Sequence, residues 1–194
     1  MRTVFDFLIS PVDNNRYNNT KQVGEKELII NTEIYNHKYI NREAKVISIP
    51  MAYKTPIEVG DTVVVHHNIF RRWHDMKGRE KNSKNYYKEN KYFANFDQIY
   101  LYKKDSEWTA LDGWCFVQPL VNKDKFDIEN EVPLQGVIKY SDGSVKLNQI
   151  IGFKPGHEHE FVIDGIKLYR IKSKFITIKY EYQGNEEEYN PSWA

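Results

Sequence analysis

Two stretches of the chain align without a gap: Leu101–Leu111, which reads LYKKDSEWTAL, and Leu168–Ile178, which reads LYRIKSKFITI. A leucine, a tyrosine, a basic residue, a serine, an aromatic residue and an apolar end keep their places. In each stretch an apolar segment is followed by a polar link and a second apolar segment. The alignment therefore predicts that a strand–link–strand element occurs twice in the chain.

Three further matches precede these stretches in the same order. Phe5–Val12 matches Gly113–Leu120, Ala44–Ser48 matches Gln135–Lys139, and the turn Val59–Asp61 matches Pro155–His157. Four matches in one order predict an internal repeat, with a first domain over residues 1–111, a second over residues 112–182 and a tail over residues 183–194. The alternative is that short β sequences look alike without any repeat.

Runs of alternating apolar and polar residues recur along the chain, separated by turn formers such as Tyr140–Gly143 and Lys154–Gly156. Many short strands of this kind predict an all-β fold, either a sandwich or a barrel. One segment, residues 82–93, is polar and poorly amphipathic. The sequence leaves open whether it forms a helix or an ordered loop.

Composition narrows the classes of partner and compartment. The chain has 28 basic and 27 acidic residues, so its global field does not favour nucleic acid or an anionic membrane. No apolar run is long enough to span a bilayer, and no membrane partner is expected. The single cysteine, Cys115, excludes an internal disulfide framework and fits a reducing compartment. We therefore expect a cytoplasmic protein.

The order of elements in each copy resembles that of the GroES-type co-chaperonins. The closest match is Ile57–Val65, in which a Gly-Asp turn leads into an apolar strand, and Lys154–His157 is its weaker twin. The closing segment Arg170–Tyr180 is similar to that of phage-encoded co-chaperonins. Members ordinarily carry one barrel per chain, whereas the tandem co-chaperonins of plastids carry two.

The resemblance implies two tandem GroES-like small β-barrels, of which the first carries a long loop (residues 13–43) and a basic insertion (residues 66–95). It also implies a protein that is not an enzyme, that docks on a GroEL-like chaperonin ring to assist protein folding, and that assembles into a homo-oligomer. Alternatively, the chain is a nucleic-acid-binding protein or a phage structural protein that uses the same barrel.

Family members bind their chaperonin through a mobile loop that carries a hydrophobic tripeptide. Residues 13–43 lie where that loop belongs, and the apolar triplet within them is Leu28, Ile29 and Ile30. The resemblance implies that these three residues bind the chaperonin. The alternative is that residues 28–34 form an ordinary strand paired with residues 44–49, because β-branched runs favour strands.

The insertion is basic, and aromatic residues are interleaved with its charges. Basic residues follow phosphates and exposed aromatic rings stack on bases, so Arg71, Arg72, Trp73 and Lys81 are the candidates for nucleic-acid binding. The alternative is a solvated loop whose aromatic side chains pack onto the barrel.

The remaining chemistry-bearing residues do not form a recognisable motif. His157 and His159 would share one face of a strand, but no cysteine or spaced histidine pair supplies further metal ligands. Cys115 stands beside Phe116 and Val117, as a buried apolar residue would. We therefore expect no metal site, no cofactor and no catalytic residues.

Overall fold

The computed structural model describes residues 2–24, 26–29, 32, 34, 36–124 and 130–194. The regular elements among these residues are strands and short 3₁₀ turns, which confirms the predicted all-β class. Eleven strands precede residue 111: β1 (Phe7–Pro11), β2 (Thr20–Val23), β3 (Lys26–Ile29), β4 (Glu43–Ser48), β5 (Thr62–Val65), β6 (Arg72–His74), β7 (Glu80–Asn82), β8 (Tyr86–Lys88), β9 (Lys91–Ala94), β10 (Ile99–Lys104) and β11 (Glu107–Ala110). Six follow: β12 (Trp114–Val121), β13 (Glu131–Ser141), β14 (Ile150–Phe153), β15 (His159–Ile163), β16 (Ile166–Lys172) and β17 (Ile176–Lys179).

The chain divides into two compact units, residues 1–107 and 108–194, and the division falls inside β11. The first unit contains an antiparallel sheet in the order β11-β10-β5-β4-β1-β9-β8. Two separate hairpins, β2–β3 and β6–β7, accompany this sheet. Phe7, Leu8 and Ile9 are consecutive in β1 and fully buried. Because consecutive side chains point to opposite faces of a strand, both faces of β1 are covered.

The second unit contains an antiparallel sheet in the order β15-β16-β12-β13-β14-β17. Within the described residues, each of these two sheets has two edge strands and is therefore open. A buried cluster that includes Val117, Ile138 and Ile171 packs on one side of the second sheet. A smaller cluster of Leu120, Val137 and Ile150 packs beside Tyr180.

Six strands of the second sheet have a counterpart in the first. In the same spatial order, β17, β14, β13, β12, β16 and β15 correspond to β10, β5, β4, β1, β9 and β8. The correspondence extends to single residues. In the first unit Leu8 pairs with Ser48 and Ile9 with Val46, and in the second unit Phe116 pairs with Tyr140 and Val117 with Ile138. A β-bulge lies at the same step in both pairs of strands. The internal repeat is therefore present in the strand pairing itself.

The predicted alignment of the two copies is nevertheless wrong by one residue within β4, where Val46 corresponds to Ile138 and not to Val137, and it is wrong at the turn. Gly60 N–H donates to the carbonyl oxygen of Val46, the residue that corresponds to Ile138, at 2.8 Å. In the second unit Asn148 N–H donates to the carbonyl oxygen of Ile138, also at 2.8 Å. The counterpart of Val59–Asp61 is therefore residues 147–149, and not Pro155–His157.

The gapless match of Leu101 with Leu168 is also wrong. Leu101 pairs with Val64 on β5, and Ile178 pairs with Gly152 on the corresponding strand β14. The structural counterpart of Leu101 is therefore Ile178. Both stretches are a strand, a short link and a second strand, so their sequences look alike although they occupy different places in the sheet.

The basic insertion is shorter than predicted. β8 and β9 correspond to β15 and β16, because β9 pairs with β1 as β16 pairs with β12. Residues 86–95 therefore have a counterpart in the second unit. The additional residues lie within the connection 66–85, which contains β6 and β7 and whose counterpart is the short connection 154–158. The segment 82–93 forms neither the helix nor the loop considered for it, since most of it lies in the β8–β9 hairpin.

Candidate functional site

The long connection between β1 and β4 begins as a short two-stranded stem. Asn18 N–H donates to the carbonyl oxygen of Tyr39 at 2.7 Å, and Asn41 N–H donates to that of Arg16 at 3.0 Å. Between these bonds Tyr17 bridges Ile40, and both side chains are buried. The stem is therefore an ordered and partly buried element of the first unit.

A hairpin, β2–β3, forms the outer part of this connection. Thr20 pairs with Ile29 and Val23 pairs with Lys26, with Gly24 in the turn at a φ of 63°. Leu28 is 51% exposed and Ile29 is 66% exposed, and Val23 at the tip is 54% exposed. Ile30, the third residue of the predicted triplet, lies outside the described residues.

The register of the hairpin decides how these side chains are presented. Val23 and Leu28 occupy diagonal positions on one face, whereas Ile29 lies on the opposite face with Thr20. The hairpin therefore offers apolar side chains on both of its faces. A partner that contacts Val23, Leu28 and Ile29 together has to cover both faces of the hairpin, or to pair as an additional strand with one of its edges.

The alternative pairing of residues 28–34 with residues 44–49 is wrong for Leu28 and Ile29, which pair with β2, and residues 30, 31 and 33 lie outside the described part of the chain. β4 pairs with β1 on one edge and with β5 on the other, so neither edge is left for another strand. The apolar residues of β3 pair instead with the polar strand β2, which buries little of their surface. The connection in the second unit is shorter: Asn122 N–H donates to the carbonyl oxygen of Asn130 at 3.0 Å, and residues 125–129 between them lie outside the described part of the chain.

The predicted nucleic-acid candidates are divided between two faces of the β6–β7 hairpin. Trp73 pairs with Lys81 on one face, where the indole is 44% exposed. Arg72 lies on the other face, and its guanidinium is 3.3 Å from the carboxylate of Glu80. Arg71 precedes the strand. The structure therefore brings Trp73 and Lys81 together but does not place all four candidates on one surface.

Arg16 anchors this hairpin and was missed by sequence reasoning. Its guanidinium donates to the carbonyl oxygen of Phe70 at 3.0 Å and to Oδ1 of Asn82 at 2.8 Å. It also lies 5.4 Å from the ring centre of Tyr92, which is buried. Burial lowers the pKa of Arg16. An arginine in a polar stretch carries no sequence signal for such a role, because its partners are 54 or more residues away.

The histidines considered as metal ligands have other contacts. The ring of His157 stacks on Phe175 with 3.6 Å between ring centres, and His159 lies on β15 opposite Arg170. In the described ranges of the chain, no group of three or more His, Cys, Asp or Glu residues is arranged to hold a metal ion. Cys115 is buried as predicted, with its sulfur 3.3 Å from Oγ of Ser173.

Comparison with known proteins gave no match to a family model and none to a curated sequence. Within the described residues, no helix is both long and apolar enough to cross a membrane.

Proposed function

We propose that this protein is a co-chaperonin-like adaptor that docks on a GroEL-like chaperonin ring through the β2–β3 hairpin. The observation that carries the proposal is the exposure of Leu28 and Ile29 on a hairpin that an ordered stem joins to the sheet. A partly exposed leucine or isoleucine forgoes a burial free energy on the order of 1–2 kcal/mol, and a partner that covers it recovers that energy.

Two further features support the proposal. The hairpin lies in the connection between the first two strands of the repeated unit, which is where the GroES-type resemblance puts the docking loop. The strand order that both units share supports a tandem arrangement of two GroES-like domains, with a docking hairpin in the first of them. If several chains assemble, each contact with the ring after the first is intramolecular. The assembly then binds the ring more tightly than a single chain does, although each contact is weak.

The proposal is tested with the double variant Leu28→Asp, Ile29→Asp. Both side chains are exposed, so the variant is expected to keep the melting temperature of the wild type within a few degrees. Binding to a purified GroEL-type ring, measured by titration calorimetry with nucleotide present, is expected to weaken by at least about a hundredfold.

The matched control is Met51→Asp, because Met51 is 58% exposed but lies outside the hairpin. It is expected to bind the ring as the wild type does. A double variant that is folded and still binds the ring with wild-type affinity would contradict the proposal.

A further inference from the structure

A groove with an apolar floor and an acidic rim runs across the second unit. It consists of two adjoining cavities of about 530 and 520 Å³, which share Ile150 and Glu186. The floor contains the cluster of Leu120, Val137 and Ile150. Among the described residues, five carboxylates and one lysine line the cavities: Asp124, Glu181, Glu186, Glu187, Glu188 and Lys123. We call this surface the acidic groove.

The acidic side of the groove is held in place by the segment that follows β17. Val121 N–H donates to the carbonyl oxygen of Glu187, and Tyr189 N–H donates to that of Pro119, at 2.7 and 2.8 Å. This segment therefore adds to the edge of β12. Two of the rim carboxylates are partly neutralised, since Glu187 pairs with Lys123 and Glu188 pairs with Lys139. Glu181 is exposed.

The tip of the β6–β7 hairpin in the first unit has the complementary properties. The Asp75 carboxylate accepts the N–H groups of Lys77 and Arg79, both at 2.9 Å, and Gly78 completes the turn at a φ of 72°. These bonds give the tip a defined shape. They leave Met76 fully exposed, with the exposed side chains of Lys77 and Arg79 beside it.

Charge is distributed unevenly along the chain. Residues 1–107 contain 18 basic and 14 acidic residues, whereas residues 108–194 contain 10 basic and 13 acidic residues. Within the first unit, residues 71–91 contain eight basic and three acidic residues. A nearly neutral chain therefore carries a basic unit and an acidic one, and opposite patches on separate surfaces steer two copies toward each other.

We propose that the β6–β7 tip of one copy docks in the acidic groove of a second copy. Met76 covers the apolar floor, while Lys77 and Arg79 face the rim carboxylates. Thioether side chains adapt to irregular apolar surfaces, which suits an open groove. Because tip and groove are different surfaces, the contact is heterologous, and successive copies form a ring if the rotation closes. This inference does not depend on chaperonin docking.

The test measures self-association of the full chain by sedimentation velocity across a range of concentrations. The wild type is expected to associate, and more weakly at high salt, since exposed charges are screened. The variant Lys77→Glu, Arg79→Glu is expected to associate at least about tenfold more weakly. The variant Asp124→Lys, Glu181→Lys removes the net negative charge of the groove lining, and its association is expected to be weakened to a similar extent.

An equimolar mixture of the two variants distinguishes this contact from a general effect of charge. In the mixture each acidic tip meets a groove that carries the two new lysines, and each basic tip meets an acidic groove, so association is expected to return. The control Lys45→Glu, Lys54→Glu makes the same change in charge at exposed positions of the first unit and is expected to associate like the wild type. A monomeric wild type, a tip variant that associates like this control, or a mixture that stays dissociated would overturn the proposal.

Discussion

Asn148 and Gly60 occupy the same position of the repeated unit and share an unusual backbone conformation. The φ of Gly60 is 99° and that of Asn148 is 59°, and each N–H closes the same hydrogen bond to the preceding strand. Glycine reaches positive φ without steric cost, and asparagine tolerates the left-handed region better than most residues. The turn thus uses the two residue types that the conformation allows.

Substitutions at this turn test the equivalence of the two units. Asn148→Gly is expected to change the free energy of unfolding by less than about 0.5 kcal/mol, whereas Asn148→Val and Gly60→Val are each expected to cost about 1–3 kcal/mol. Urea denaturation measures the difference. Leu147→Ala, at an exposed neighbouring position, is the control and is expected to have little effect. A valine tolerated at position 148 would speak against the turn described here.

His67 is a titratable residue whose environment disfavours the charged form. Burial is the largest cause, followed by His66, Arg42, His37 and Arg71, and together they lower the pKa of His67 to about 3. The ring centres of His66 and His37 lie 4.4 and 5.5 Å from that of His67. The stem of the hairpin and the end of β5 therefore meet at a cluster of imidazole rings.

This cluster predicts a dependence of stability on pH. The unfolded chain takes up a proton on His67 near pH 6.5, but the folded chain does so only near pH 3. The free energy of unfolding therefore falls as the pH drops through that window. After allowance for partial solvent exposure, the wild type is expected to lose about 1 kcal/mol more than His67→Asn between about pH 7 and pH 5. Urea midpoints measure this, with His74→Asn as the exposed control. Parallel profiles for the wild type and His67→Asn would refute the assignment.

At the scale of elements, the sequence indicated strands and turns well but not which strands were equivalent. The pattern of apolar and polar residues indicated β10, β16 and β17 as strands, although their burial does not alternate: three consecutive residues of β10 are buried, and β17 is mostly exposed. It could not distinguish β10–β11 from β16–β17, since any apolar strand followed by a polar link and an aromatic residue reads alike. Hydrogen-bond register separates them, and register depends on partners far away in the chain.

The β2–β3 hairpin shows what local sequence can and cannot predict about the candidate site. Leu28 and Ile29 were found from composition and position within the loop. The partner strand was not, because β2 is polar and carries no strong strand signal. The anchoring of the β6–β7 hairpin by Arg16 was also not predictable, since its acceptors, two main-chain carbonyl oxygens and Oδ1 of Asn82, lie 54 or more residues away in the sequence.

Considered as a whole, the chain contains two copies of one strand order, and each copy carries different additional features. The first unit carries the β2–β3 hairpin and the basic β6–β7 hairpin, and the second carries the acidic groove. The net charge of +1 does not show that the first unit is basic and the second acidic, because it is a sum over both units. In our proposals the two additions of the first unit serve different partners, a chaperonin ring and a second copy of the chain.

Docking of the β2–β3 hairpin on a chaperonin ring, as we propose it, can be tested by amide hydrogen exchange across residues 20–29. A two-stranded hairpin that buries little apolar surface is only marginally stable, so its amides are expected to exchange quickly in the free protein. Addition of a saturating GroEL-type ring is expected to slow exchange in this segment by at least about tenfold, while β4 and β5 exchange as before. Exchange in residues 20–29 that is already slow in the free protein, or that the ring leaves unchanged, would contradict the account.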